Sequence, residues 1–273
     1  MIPVTVLVMT KNEGENLAHC LLPLISRFER VIVVDSNSDD DTVEIAKSMN
    51  VDVMKYIWGG GYPKKRQWCI ENLYGLGPWV FFVDADEIVT PDLTRELQLL
   101  FARGAHAEGY FVKSAPYWLN KRLRFGMKNN KLCLFRTDSF AFPPVNDLDI
   151  PGMGEIEGHY QPVRIKDGAR VGQIGTAMTH HNRKGRGAWL RKHDHYAAWE
   201  AEMVKRDAFP IDPIAWRQDL KKATRAFWLR PWLVFFYSYI FKLGFLDGVA
   251  GLDYAIARKN YARLVLRRLR SPQ

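Results

Sequence analysis

The run Trp79 to Glu87, WVFFVDADE, constrains the fold of this chain more than any other stretch. Five apolar residues end abruptly in Asp84, Ala85, Asp86 and Glu87, the pattern of a buried strand that delivers acids at its C-terminal mouth. Two carboxylates one residue apart at such an edge can hold a hard divalent cation and leave positions open for a substrate diphosphate. The same two acids could instead cap a following turn or helix, and a lone DxD does not decide between these readings.

Three other segments set the context. Val4 to Val8 is apolar and leads into Thr10, Lys11, Asn12, Glu13 and Gly14, with a helix expected from Glu15 to Leu24. Arg30 to Val34 repeats the pattern and stops at Asp35, before a helix over Thr42 to Met49. Val51 to Tyr56 is a third strand, glycines 59 to 61 a loop, and Lys65 to Tyr74 a helix. Strands alternating with helices predict an α/β unit with a mostly parallel sheet. Ligands of such sheets lie beyond the carboxyl ends of the strands, where Thr10, Asp35 and Asp84 would converge.

After a helix from Pro91 to Arg103, shorter strands are expected over Gly109 to Lys113 and up to Arg136. Pro143 to Gly158 reads as a long loop, of the kind that more often serves function than connection. Tyr160 to Ile165 and Arg170 to Ile174 read as a hairpin around Asp167 and Gly168. From Ala188 onward the pattern is helical, with breaks expected at Pro210, Pro213 and Pro231. Residues 1–205 are read as a catalytic domain and 206–273 as a helical extension.

The formal charge of +9 calls for anionic company: nucleotide diphosphates, nucleic acid or an anionic membrane. Cys20, Cys69 and Cys133 stand in no metal-ligand spacing and read as buried reduced thiols, with a cytosolic setting as the default. Met1 to Met9 lacks the basic leader and cleavage site of a signal peptide and reads as the first strand. Trp232 to Phe241 is strongly apolar but too short to span a bilayer. The helix expected from Leu246 to Leu269, with Arg270 directly after it, carries six bases against Asp247 and Asp253. That combination suits an interfacial surface drawn to anionic lipid, and equally a helix packed on the rest of the protein.

TKNE after the first strand, VIVVDSNSDDDT, GYPKKR and FFVDADE, in this order, resemble family 2 of the glycosyltransferases, which have the GT-A fold. The resemblance is closest to bacterial members that extend lipopolysaccharide core or exopolysaccharide, and Leu246, Asp247 and Gly248 match the LDG of their helical tails. It implies a Rossmann-like GT-A domain, Mg2+ or Mn2+, a nucleotide-diphosphate sugar as donor, and a saccharide or lipid-linked acceptor. Thr10, Asn12 and Asp35 would line the nucleoside pocket, and Lys65 and Arg66 would face the diphosphate. Asp84 and Asp86 would hold the metal, with Asp86 the more direct ligand and Glu87 behind them.

Inverting transfer needs a base. The family's His-Glu pair is replaced here by Glu155, Ile156, Glu157, Gly158 and His159, which puts the base on Glu157, with Glu155, Asp147 and Asp149 as alternatives. His180 would complete the metal site and Arg191 would grip phosphate. With the basic, aromatic C-terminal stretch, the first reading puts the chain at the cytoplasmic membrane face in peripheral contact with anionic lipid, and the acidic strand ends argue against nucleic acid. The rival from the residues alone is a non-catalytic basic module, since the bases around Trp189 and Tyr196 could track a polyanion. A nucleotidyltransferase would need a phosphate-cradling glycine loop that TKNEGEN does not supply.

Overall fold

A computed structural model of the protein describes residues 1–154, 160–181, 183 and 185–271. The N-terminal half alternates as expected. Strand β1 (Ile2–Thr10) is followed by α1 (Gly14–Ile25), β2 (Phe28–Asp35), α2 (Thr42–Ser48), β3 (Asp52–Lys55), α3 (Lys65–Asn72) and β4 (Trp79–Asp84). Helix α1 shows why the pattern folds this way. Leu17, Leu21 and Leu24 recur at helical spacing and are fully buried, each such burial being worth roughly 1.5–3 kcal/mol.

The chain continues through β5 (Glu87–Ile88), α4 (Pro91–Ala102), β6 (Gly109–Trp118), β7 (Lys121–Arg122), β8 (Asn129–Arg136), β9 (Phe140–Ala141), β10 (Val163–Arg164) and β11 (Val171–His180). The main sheet runs β3-β2-β1-β4-β8-β6-β11-β5, with β7 paired to β6. Strands β3, β2, β1 and β4 pair in parallel; β8 is antiparallel to both β4 and β6, and β11 returns parallel to β6. The sheet is therefore mixed, although most of its strands share one direction.

The hairpin expected over residues 160–174 does not form. Gly168 does sit in a turn at φ 72°, but the strands on either side go to different partners. Val163–Arg164 pairs with Phe140–Ala141, whereas Val171–His180 inserts between β6 and β5. A turn signal fixes a local bend; the ten residues of β11 gain more from the long edge of β6 than from a two-residue neighbour.

Helices α5 (Gly185–Lys205), α6 (Ala215–Arg225), α7 (Arg230–Phe236) and α8 (Val249–Arg270) complete the fold, with a π-helical turn over Tyr237–Phe241 and a 3-10 turn over Gly244–Asp247. Pro210 and Pro213 lie between α5 and α6 as expected. Pro231 does not break a helix but starts one, sitting in the first turn of α7 where its missing N–H is harmless. Ala197 and Ala201 of α5 pack on Val265 of α8, so α8 is docked by its small, buried face.

The Leu246-Asp247-Gly248 triplet has a structural explanation. Buried Asp247 accepts the Phe125 backbone N–H at 2.9 Å, and its carbonyl accepts Lys121 Nζ at 2.9 Å. Gly248 then turns into α8 at φ 67°, a left-handed value that a side chain would strain.

Candidate active site

The carboxyl ends of β1, β2 and β4 meet, and their polar residues form two linked groups. In the first, Asp35 is buried and accepts Thr10 Oγ1 at 3.0 Å, Ser38 Oγ at 2.5 Å and the Ser38 N–H at 2.8 Å. Asn12, at φ 55°, donates its N–H to Ser38 Oγ and accepts the Asp39 N–H. Thr10, Asn12 and Asp35 thus form one rigid knot at the mouth of β1 and β2.

The second group lines a cavity of about 1510 Å³ and comprises Arg66, Asp84, Asp86, Glu87, Lys131, His180 and Lys192 among others. Asp84 Oδ1 accepts Arg66 Nη2 at 3.0 Å, and Oδ2 accepts Lys131 Nζ at 2.8 Å; Lys131 also donates to Glu87 Oε2 at 2.7 Å. Burial works against ionisation of Asp84, yet Lys131 and then Arg66 hold its carboxyl well below the usual range. Asp86 Oδ2 lies 2.9 Å from His180 Nε2. The ladder makes that contact, because His180 is opposite Glu87 in the β11–β5 pair and the His181 N–H bonds the Asp86 carbonyl.

Three consecutive bases at the start of α3 join these parts. Lys64 Nζ contacts Asp147 Oδ1 at 2.7 Å with both side chains fully buried, Lys65 Nζ donates to the Thr10 carbonyl at 2.7 Å, and Arg66 reaches Asp84. Of the two residues expected to face a diphosphate, Lys65 is an internal strut that does not line the cavity, whereas Arg66 lines it beside Asp84. Arg191 is exposed and outside the cavity lining. Its neighbour Lys192, also exposed, is among the α5 residues that line it, and its ammonium is held above the ordinary value chiefly by Tyr196 and, after the opposing effect of burial, by Asp86 and Asp84.

The alternatives for a base separate clearly. Asp147 is fully buried, accepting Tyr62 OH at 2.7 Å and Trp199 Nε1 at 2.8 Å besides Lys64. Asp149 is held by both Arg206 Nη atoms at 2.7 and 2.9 Å. Neither lines the cavity. Glu155 and Glu157 lie outside the described residues.

Among the described residues no group of three His, Cys, Asp or Glu is gathered for a cation. A full protein cage is not needed where substrate phosphates supply oxygens, since Mg2+ commonly takes only one or two protein carboxylates. Asp86 and His180 fit that role: neighbouring ligands on one such ion stand roughly 3 Å apart, and their polar atoms do. Asp84 fits it less well, because both of its oxygens already hold cations.

The same pair predicts a pH effect. Burial opposes the charged forms, but His180 and its hydrogen bond bring Asp86 down to about 2, and Asp86 pushes His180 up. The His180 contribution to folding is therefore full below roughly pH 6.5 and fades as pH rises through its raised value; that of Asp86 is present above roughly 3.9 and fades toward 2. A cation on His180 must displace a proton, so Mn2+ affinity should fall about tenfold per pH unit below the raised value. Titration of free Mn2+ by electron paramagnetic resonance between pH 5 and 8 checks this; a flat profile would remove His180 from the metal site.

A parallel α/β half with polar strand ends, widened by antiparallel strands, defines a GT-A protein. The mannosyltransferase PcManGT from Pyrobaculum calidifontis, solved with GDP-Man and Mn2+, shares this fold with a TM-score of 0.50 and 15% identity, over 97% of this chain and 86% of that one. The family model Glycosyl transferase family 2 matches residues 5–146, and the chain belongs to that family. An uncharacterized glycosyltransferase of Rickettsia typhi, RT0209, is 32% identical over 36% of this chain and 33% of its own length. The lipopolysaccharide core biosynthesis glycosyltransferase LpsC of Rhizobium meliloti is 29% identical over 42% of this chain and 43% of its own. The alignments span about a third of the length of the Rickettsia relatives.

Sequence reasoning passed over Lys192 in favour of Arg191, named Asp147 as an alternative base and not as the partner of Lys64, and did not single out Lys131, whose signal is a base opening the apolar run LCLF.

Proposed function

We propose that the protein transfers a sugar, with inversion, from a nucleotide-diphosphate donor to a saccharide or lipid-linked acceptor in bacterial envelope polysaccharide or lipopolysaccharide synthesis. The observation that carries this reading is the Asp86–His180 pair beside the Arg66–Asp84–Lys131 cluster in one cavity. Mg2+ or Mn2+ held by Asp86 and His180 would neutralise charge on the departing diphosphate. Arg66, Lys131 and Lys192 keep the surrounding field positive, and the knot of Thr10, Asn12 and Asp35 offers acceptors to a base or ribose. LpsC, named for lipopolysaccharide core biosynthesis, supports the pathway, and the GDP-Man and Mn2+ in the PcManGT structure support the donor class and the metal.

In the reaction the acceptor oxygen attacks the anomeric carbon, the bond from that carbon to the diphosphate oxygen breaks, and the acceptor proton passes to a carboxylate. We assign that carboxylate to Glu157, with Glu155 as the alternative. The engagement of Asp147 and Asp149 supports this choice. Glu157→Gln should lower turnover at least a hundredfold while leaving nucleotide affinity nearly unchanged; wild-type turnover in a radiolabelled-donor assay would exclude it.

Residues 206–273 we assign to acceptor handling and to the inner face of the cytoplasmic membrane. No helix among the described residues is long and apolar enough to cross a bilayer. Yet Trp228, Phe241, Leu246 and Val249 are exposed at 63%, 75%, 52% and 78%, close in sequence to Arg230 and Lys242. Aromatic and basic residues together suit an anionic interface. Because α8 contributes buried Tyr254, Ala255 and Val265, point substitutions test this better than truncation. Trp228→Ser/Phe241→Ser should reduce co-sedimentation with phosphatidylglycerol vesicles about tenfold; undiminished binding would end the membrane assignment.

A further inference from the structure

Away from Asp86 and His180 the cavity continues along β6 and the start of β8, and this end is built differently. Lys113 of β6, with Arg124 and Lys128 of the segment joining β7 to β8, lines it. The strand register sets Lys113 opposite Asn130, two residues from Lys128. Elsewhere in the cavity several bases have acids beside them: Arg66 and Lys131 hold Asp84, Lys221 and Arg217 hold Asp212, and Arg230 holds Glu200. Among the described residues, Lys113, Arg124 and Lys128 have no carboxylate within ion-pair distance.

Lys128 is half-buried, and its ammonium is held below the ordinary value by burial, then by Lys113 and Arg122. Only Asp247 acts in the other direction, and its carboxylate already accepts the Phe125 N–H. Solvated lysines on an open surface could spread apart; these share a cavity wall. Folding has gathered Lys113 and Lys128, both partly buried, on one wall with the exposed Arg124 beyond them, an arrangement that costs stability unless an anion completes it. Asn130 and Gln173 line the same wall and bond each other at 2.9 Å, offering neutral donors and acceptors beside the charges.

We propose that Lys113, Arg124 and Lys128 form an acceptor subsite for an anion, so that the acceptor is a saccharide bearing a phosphate or carboxylate group. The inference rests on the sugar-transfer reading and adds the chemistry of the second substrate. Lys131, which contacts Asp84, lies three residues from Lys128, so the backbones of the two lysines are at most roughly 10 Å apart.

The test uses the full chain with Mg2+ and whichever of UDP or GDP binds it. Glucose 6-phosphate, glucuronate and glucose are titrated calorimetrically against wild type and Lys113→Gln/Lys128→Gln. Wild type should bind at least one of the two anionic sugars about tenfold or more tightly than glucose. The double variant should lose that preference, keep its nucleotide affinity within about twofold, and melt at or above the wild-type temperature because a repulsion has been removed. Equal affinity for all three sugars in wild type, or an undiminished preference in the variant, would overturn the proposal. Loss of melting temperature in the variant would show instead that the lysines support the fold. If neither nucleoside diphosphate binds, the donor reading fails first, and the nucleotide titration shows this separately.

Discussion

Asn in place of Asp86 is expected to lower kcat/KM roughly 10²–10³-fold, the scale on which loss of one preorganised charge-stabilising group is felt. The residue is 6% exposed, ionised to about pH 2, and 2.9 Å from His180. The amide is nearly isosteric and can keep a hydrogen bond to His180, so the fold should survive. It loses the negative charge that attracts a divalent cation. The weight of the effect should fall on the metal-dependent step, and raising Mn2+ should restore part of the rate. Asn at position 84 should behave differently. There the carboxylate orients Arg66 and Lys131, so its loss should weaken donor binding without creating that metal dependence. Steady-state kinetics of the two variants across Mn2+ concentration separate these roles.

Asp147→Asn is expected to destabilise the protein by roughly 3–5 kcal/mol, because a buried pair loses one partner and leaves an uncompensated charge. Lys64 and Asp147 are both 0% exposed at 2.7 Å, and the Lys64 ammonium also donates to the Met153 carbonyl. Tyr62 and Trp199 complete the carboxylate, and Tyr62 OH accepts the Val145 N–H. The network therefore fastens residues 145–153 to the start of α3. Melting should fall by on the order of 10 °C, checked by calorimetry. Removing both charges together, as Lys64→Met/Asp147→Asn, should cost less than the sum of the single changes. Additivity would mean that the ions do not act as a pair.

Much of the N-terminal half was legible because its determinants are local. Apolar runs ending in Thr10, Asp35 and Asp84 specify parallel strands with polar mouths, and a parallel sheet brings neighbouring mouths together whatever its detailed register. His180 was found through a motif, and its place beside Asp86 follows from the β11–β5 ladder. The rest depends on pairings that no local pattern encodes. The turn at Gly168 was readable, but the preference of β11 for β6 arises from long-range packing. Naming Arg191 where Lys192 lines the cavity is an error of one residue on a helix, about 100° of rotation. Asp147 reads in sequence as a possible base and Lys64 as one member of a basic motif, and only folding shows that the two are a buried pair.

The central claim is that Asp86, just beyond the end of β4, acts with His180 on a nucleoside diphosphate through a divalent cation. Isothermal titration of UDP and GDP, each with Mn2+ and with EDTA, tests it most directly. Wild type should bind one of them at least tenfold more tightly with Mn2+, and Asp86→Asn should lose that increment. Equal affinity in Mn2+ and EDTA, or an increment that survives in Asp86→Asn, would contradict the account.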